Sequence, residues 1–254
     1  MKYPSGMTVA KLLISLFVLL FLLPLGTHAA WWTAQTHPSS FAEADWSASG
    51  VLPSAKAEPD AVVHILAGRT GRWKGIFAHH SWIVVNPRGA ARYTRYEVVG
   101  WGNPVRTDAY APDGRWYSDT PVIIATLRGE AAERAIPRIR EAVASYPYAA
   151  RGSYTIWPGP NSNTFVATIV RAVPELATGL LPTALGKDFA GSWLYAGNTP
   201  SRTGWQVSLN GAAGVSVGWV EGVEINLFGL VAGLDIRRPA LKLPGWGRIG
   251  LSTG

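Results

Sequence analysis

Three side chains in this sequence are of types that could divide one reaction between them: a histidine, a carboxylate and a serine. His80 opens the run HSWIVV, Glu97 lies in RYEVVGW, and Ser162 stands in WPGPNSNTFVATIV. Together they fit acyl transfer, in which a hydroxyl attacks, an imidazole takes its proton and a carboxylate holds the ring. The serine cannot act alone. A helix N-terminus stabilises a nearby anion by only about 0.3–1 kcal/mol, less than one pKa unit. Ser162 would therefore need His80 within hydrogen-bond reach, and Glu97 or another acceptor to fix the tautomer. The unpaired backbone N–H groups of Ser162 and Asn163 would then be the donors to a developing oxyanion.

Each of these residues also has a plainer role. Ser162 and Asn161 suit a helix N-cap, worth about 1 kcal/mol, and capping is the first expectation from sequence alone. Asn163 and Thr164 would extend that cap; in the catalytic reading Trp157, Asn161, Asn163 and Thr164 instead support a bound substrate. His80 also suits a strand-edge histidine bonded to backbone, and the neighbouring His79 is a rival ring. Glu97 could equally pair with Arg95 or Arg92. Asp188 reads as a turn residue paired with Lys187, and His64 as core-facing. Trp101, Trp116 and Trp157 could line a groove. The five histidines show no metal-ligand spacing, so no metal is expected, and no nucleotide-binding glycine loop has the required context.

The elements that must position these groups follow from periodicity. Residues 61–67, 80–85, 93–101 and 121–127 are β-branched and aromatic runs bounded by turns, as in an antiparallel meander. In residues 130–145, Ala132, Ile136, Ile139 and Val143 recur on one helical face, with Pro137 expected to kink the helix or divide it. A second helix is expected over 163–173, after the turn forced by Pro158-Gly159-Pro160. Beyond Asp188 the runs 205–209, 214–220, 223–228 and 230–236 are separated by glycine and read as a small sheet that extends or flanks the first. The fold class is α+β: an antiparallel sheet on two main helices, with a glycine-rich C-terminal β extension.

Composition narrows the setting. The chain of 254 residues has twelve Trp, no cysteine and a net charge of +7. Without cysteine there are no disulfides, thiolate metal sites or cysteine nucleophiles. The basic residues are scattered apart from Arg237-Arg238, which argues against a nucleic-acid partner and for weak attraction to anionic envelope surfaces. Lys2 and Lys11, the apolar run 12–25 and the small residues before Ala30 have the order of a secretory leader. Fourteen residues give a helix of about 21 Å, short of the roughly 30 Å of a hydrocarbon core, which favours cleavage after Ala29 over a permanent anchor. Residues 1–29 are thus a signal peptide or membrane anchor, 30–60 a turn-rich linker, and 61–254 one domain outside the cytoplasm, periplasmic or anchored at the inner membrane.

The strings HSWIVV, YTRYEVVGWG, WPGPNSNTF, LPTALGKDF and LKLPGWGRIG resemble an uncharacterised bacterial envelope family known only as a domain of unknown function. The resemblance covers most of residues 58–251. A more distant likeness is to circularly permuted papain-like hydrolases of the NlpC and lecithin-retinol-acyltransferase-like groups. It implies a papain-like fold in which His80 matches the histidine, Glu97 the polar partner, and Ser162 after Asn161 the nucleophilic cysteine. This chain departs from those enzymes in having serine there. The implied function is a serine-variant hydrolase or acyltransferase on an envelope ester or amide, such as peptidoglycan or lipid, with no cofactor. The alternative is a non-catalytic binding or structural protein of the same fold.

Overall fold

In the computed structural model, which describes residues 6–250, the β-branched runs form β1 (Val62–Arg69), β2 (His79–Asn86), β3 (Thr94–Val98) and β5 (Val122–Arg128). Lys2 and Leu251, parts of the expected leader and final strand, lie outside the described residues. With the short β4 (Val105–Thr107) these strands make an antiparallel sheet in the order β4-β3-β2-β1-β5. Period-two alternation along β2 divides its faces. Ile83 and Val85 join Val63 and Ile65 in a core against α3 (Gly129–Ala144) and α4 (Ser162–Ala172). Trp82 and Val84 look the other way, into a smaller core with Leu66 and Trp116. The helix α3 runs through Pro137 without interruption. Pro137 is exposed, so the carbonyl it leaves unpaired can meet water.

The glycine-rich region does not extend this sheet. It forms a second antiparallel one: β6 (Leu194–Asn198), β7 (Gly204–Leu209), β8 (Ala213–Gly218), β9 (Gly222–Leu227), β10 (Leu230–Asp235), β11 (Ala240–Leu243) and β12 (Gly247–Gly250), joined as a sequential meander. Three of these strands, β6, β11 and β12, were not delimited by the sequence pattern. The protein is thus a mixed α+β chain with two antiparallel sheets and few helices.

The second sheet is polar inside. Gln206, Ser208, Ser216, Glu224, Asn226 and Lys242 are only 1–5 % exposed. Gln206, Ser208, Glu224, Asn226 and Lys242 are held by one another and by the preceding loop. The Lys187 ammonium donates to Asp188 Oδ1 at 3.0 Å and Glu224 Oε2 at 2.6 Å, and Lys242 donates to Glu224 Oε1 at 2.6 Å. Asp188 also accepts from Gln206 at 2.6 Å and Asn226 at 3.0 Å, so it anchors two strands as well as pairing with Lys187. Burial works against charge on Lys187, yet the Asp188 and Glu224 carboxylates outweigh it and raise its pKa. On Glu224 burial opposes ionisation too, and the two lysines overcome it and hold the carboxyl low.

At the N-terminus α1 (Gly6–Phe17), a π-helical turn (Val18–Leu22) and α2 (Leu23–Thr33) follow one another directly. The stretch Thr8–Thr33 is long and apolar enough to cross a membrane. Helical structure continues past Ala29, and the end of α2 packs on the body: His28 and Trp32 are buried, Trp32 donates to Arg72 O at 3.2 Å, and Trp246 donates to Thr27 Oγ1 at 3.0 Å. Part of the linker is also folded down, since Leu52 and Ala55 are buried and Ala48 bridges to Gly114.

Candidate functional site

The N-terminus of α4 is held by side chains before it offers anything to a ligand. Asn161 is its cap, with Oδ1 accepting from the N–H groups of Asn163 at 2.9 Å and Thr164 at 3.1 Å. The Asn161 amide then donates to Ile156 O at 2.8 Å and Leu185 O at 2.9 Å. Asn163 Nδ2 donates to His79 O at 2.9 Å and Leu185 O at 2.8 Å, and Thr164 Oγ1 donates to Gly186 O at 2.7 Å. Three polar residues thus tie the helix start to the beginning of β2 and to the loop at 183–189. Gly186 must be glycine here, because its φ is +87° and a Cβ would lie 2.3 Å from Asn161 Nδ2.

This network settles what caps the helix. Asn161 does the capping, and Ser162 occupies the first helical position with its hydroxyl uncommitted to the helix. The Asn163 N–H, expected as an oxyanion donor, is taken by Asn161. Asn161, Asn163 and Thr164, expected to touch a ligand, spend most of their polar atoms on the fold. What Ser162 meets instead is Tyr154, whose phenol oxygen interacts with both the hydroxyl and the backbone N–H of Ser162. Burial pushes the Tyr154 phenol up to about 12, and the contacts to Ser162 partly offset that. The phenol is therefore protonated and able to donate at neutral pH. Sequence reading missed Tyr154. Its signal was the double-proline turn, which folds back so that Thr155 N–H bonds Pro160 O at 2.8 Å and returns the chain beside Ser162.

On the strand side, His80 Nε2 lies 2.9 Å from Glu97 Oε2. The same oxygen accepts from Arg95 Nη2 at 2.8 Å, so the two readings of Glu97, ion pair and histidine partner, hold together. The Arg95 guanidinium sits 4.0 Å over the Trp82 ring and donates to Ala111 O at 2.8 Å. His80 stacks on Trp116 with ring centres 3.6 Å apart and planes 2° from parallel. All three polar residues are buried. Burial raises the Glu97 pKa, but the His80 hydrogen bond and the Arg95 charge prevail and hold the carboxyl below its usual range. Burial lowers the His80 pKa more than Glu97 raises it, so the ring is neutral. An ionised carboxylate only accepts, so the ring proton is on Nε2 and the Nδ1 lone pair is free.

His80 and Ser162 line one cavity of about 90 Å³, together with His79, Tyr154, Trp101 and Trp116. They reach it from different sides: the His80 ring stacks within the Trp82 and Trp116 layer, whereas α4 packs on the opposite face of the sheet. Both border the cavity where β2 begins, beyond its last pair with β3, Ile83 with Tyr96. No hydrogen bond joins them in this state. His79 is turned to Thr183, with Nδ1 2.8 Å from its hydroxyl, and burial drops its pKa to about 3. Trp157 does not line the cavity; it packs where a Cβ on Gly229 would lie 3.0 Å from its indole. Among the described residues, no group of three His, Cys, Asp or Glu is placed to hold a metal ion.

A family model described as a protein of unknown function, DUF3750, matches residues 60–189, just over half of the chain. The chain belongs to the DUF3750 family. The matched DUF3750 segment contains β1 to β5, both packed helices and every residue of the cavity, and it ends before β6. The string LKLPGWGRIG lies outside it. No curated protein and no solved structure matches the chain.

Proposed function

We propose that this protein is an exported serine-dependent hydrolase or acyltransferase with a permuted papain-like arrangement, acting on an ester or amide of the cell envelope. The observation that carries the reading is a neutral, carboxylate-held imidazole sharing one cavity with a serine hydroxyl that the helix does not need as a cap. The reaction requires that bound substrate bring His80 Nδ1 within hydrogen-bond reach of Ser162; the Ser162 oxygen then bonds to the carbonyl carbon while its proton passes to Nδ1. Nδ1 then protonates the leaving alcohol or amine as the carbonyl carbon releases it. Water, or an acceptor alcohol or amine, attacks the acyl-serine with the same proton route reversed. Glu97 keeps the ring oriented and stabilises the imidazolium; Arg95 and Trp116 fix Glu97 and the ring in turn. The developing oxyanion is met by the Tyr154 hydroxyl, joined by the Ser162 N–H when the phenol oxygen gives it up. The apolar helix Thr8–Thr33 supports the export part of the reading. A cavity of about 90 Å³ has room for the reacting group, with the rest of a peptidoglycan or lipid substrate lying outside it.

The test is labelling by a fluorophosphonate probe, with the modified residue read by mass spectrometry. Adduct on Ser162, lost in His80→Ala and strongly slowed in Glu97→Gln, is expected. A protein that stays unlabelled while folded overturns the catalytic reading and leaves the non-catalytic binding role.

A further inference from the structure

The seven-stranded sheet is inverted. Its buried face carries the polar network, and its outward face is apolar: Val207, Val215, Val217, Ile225, Leu234 and Leu241 are 40–51 % exposed. Antiparallel sheets with one face in water alternate in the opposite sense, and a patch of this kind marks an interaction surface.

Three observations identify what covers it. Aromatic residues flank both strand ends. Gly204 pairs with Gly218 and Gly218 with Gly222, which sets Trp205 and Trp219, 66 % and 60 % exposed, at one end. Leu194 pairs with Leu209, which sets Trp193 and Phe228, 78 % and 70 % exposed, at the other. Trp at both borders of an aliphatic band is the pattern of a bilayer interface. The charges agree. Of the acids in 190–250, Glu221 and Glu224 are buried and Asp235 is paired with Arg248 at 2.8 Å, whereas Arg202, Arg237 and Arg238 are exposed at the Trp205 end. Finally, the apolar helix Thr8–Thr33 lies beside this sheet, its π-helical turn against β10 and its Phe21 buried.

We propose that this outward face rests on an anionic phospholipid bilayer beside the N-terminal helix. Among the described residues β6 and β12 are edge strands of an unclosed sheet, an arrangement hydrocarbon does not accommodate, so the sheet lies on the membrane and does not span it. The aliphatic middle enters the acyl boundary, the tryptophans sit at headgroup level and the arginines meet lipid phosphate.

The chain has no cysteine of its own, which makes single-cysteine labelling clean. Val217→Cys, Ile225→Cys and, on exposed α3, Arg134→Cys would each carry the fluorophore NBD in the full chain, reconstituted into phosphatidylglycerol-containing vesicles. Positions 217 and 225 should be quenched by doxyl-labelled lipid and shielded from iodide several-fold relative to 134. Their shielding should weaken in vesicles of phosphatidylcholine alone. Equal iodide access at all three positions overturns the proposal. So does shielding without doxyl quenching, accompanied by bismaleimide cross-linking between chains of the Val217→Cys variant, which would mean that a second copy covers the face. Equal shielding in both lipids overturns the requirement for anionic lipid.

Discussion

The two sheets of this protein obey opposite rules. In the five-stranded sheet, Ile65, Ile83 and Val85 are sealed between strands and helices, and among its buried polar groups His80, Arg95 and Glu97 join in one network whose His80 ring borders the cavity. In the seven-stranded sheet the sealed positions include Gln206, Glu224, Asn226 and Lys242, and apart from Val231 and Ala232 on β10 the larger apolar ones face outward. The first draws its stability from apolar area and spends polar burial on a site. The second is held inside by hydrogen bonds and ion pairs, and its apolar area is left for something else to cover. The family match follows the same division, since it includes the first sheet and stops before the second.

The strongest way to break this comparison lies on β9. Glu224→Leu leaves Lys187 and Lys242 buried without their shared carboxylate, and should cost about 3–5 kcal/mol. Its neighbour Ile225, on the outward face, should tolerate Ala for under about 1 kcal/mol in detergent. If the two substitutions cost the same in urea unfolding, the sheet is not inverted. In the first sheet the sense reverses: Ile83→Ala, fully buried, should cost about 2–5 kcal/mol.

Acid should act mainly on the first sheet. Burial lowers the pKa of His64 to about 4, that of His79 to about 3, and that of His80. Each stays neutral in the fold while its unfolded counterpart, near 6.5, takes up a proton. Their contribution is complete above pH 6.5 and erodes as pH falls towards the folded values, by up to about 1.4 kcal/mol per pH unit for each. Glu97 adds to this loss only below its unfolded pKa of about 4.3, because its folded pKa lies lower still. Denaturant midpoints across pH 4–7 check the slope, and a flat profile would contradict neutral burial of these rings.

The smallest contrast is at the helix start. Asn161→Ala removes a double cap and should cost about 2 kcal/mol, with Gly186→Ala acting in the same direction by crowding that side chain. Ser162→Ala should change stability by no more than about 0.5 kcal/mol while abolishing any turnover. A Ser162→Ala variant as destabilised as Asn161→Ala would return the serine to a structural role.

Much of the scaffold was legible because period and turn chemistry are local. The runs around Val63, Ile83 and Ile123 and the face from Ala132 to Ile139 specify strands and a helix wherever they end up. The alternation along β7 to β10 was legible in the same way, but which face is inside is not local. Val217 and Ser216 alternate identically whether the core is oil or ions, and only the placement of Lys187 and Asp188 decides. The His80–Glu97 pair could be read from adjacent strands with a charge among apolar residues. That Asn161 and not Ser162 is the cap depends on carbonyls at Ile156 and Leu185 that converge only in three dimensions. Tyr154 is placed only by the closed turn before Ser162, and Trp116, readable as a groove-lining candidate, takes its place on the His80 ring only by stacking from a distant loop.

The end of α2 bears on when this fold is complete. The His28 ring lies edge-on to Trp246 at 4.9 Å and near Trp31 at 5.3 Å, and it fills space a side chain on Gly245 would need. Cutting after Ala29 would take that ring away and leave Trp32 as the new N-terminus's third residue, still plugged against Gly75. Trimming the leader would therefore be a change in tertiary structure as well as in address. The precursor and the trimmed chain would be two differently packed proteins, and the hole left between Trp246 and Trp32 would be a mark that only the matured molecule carries.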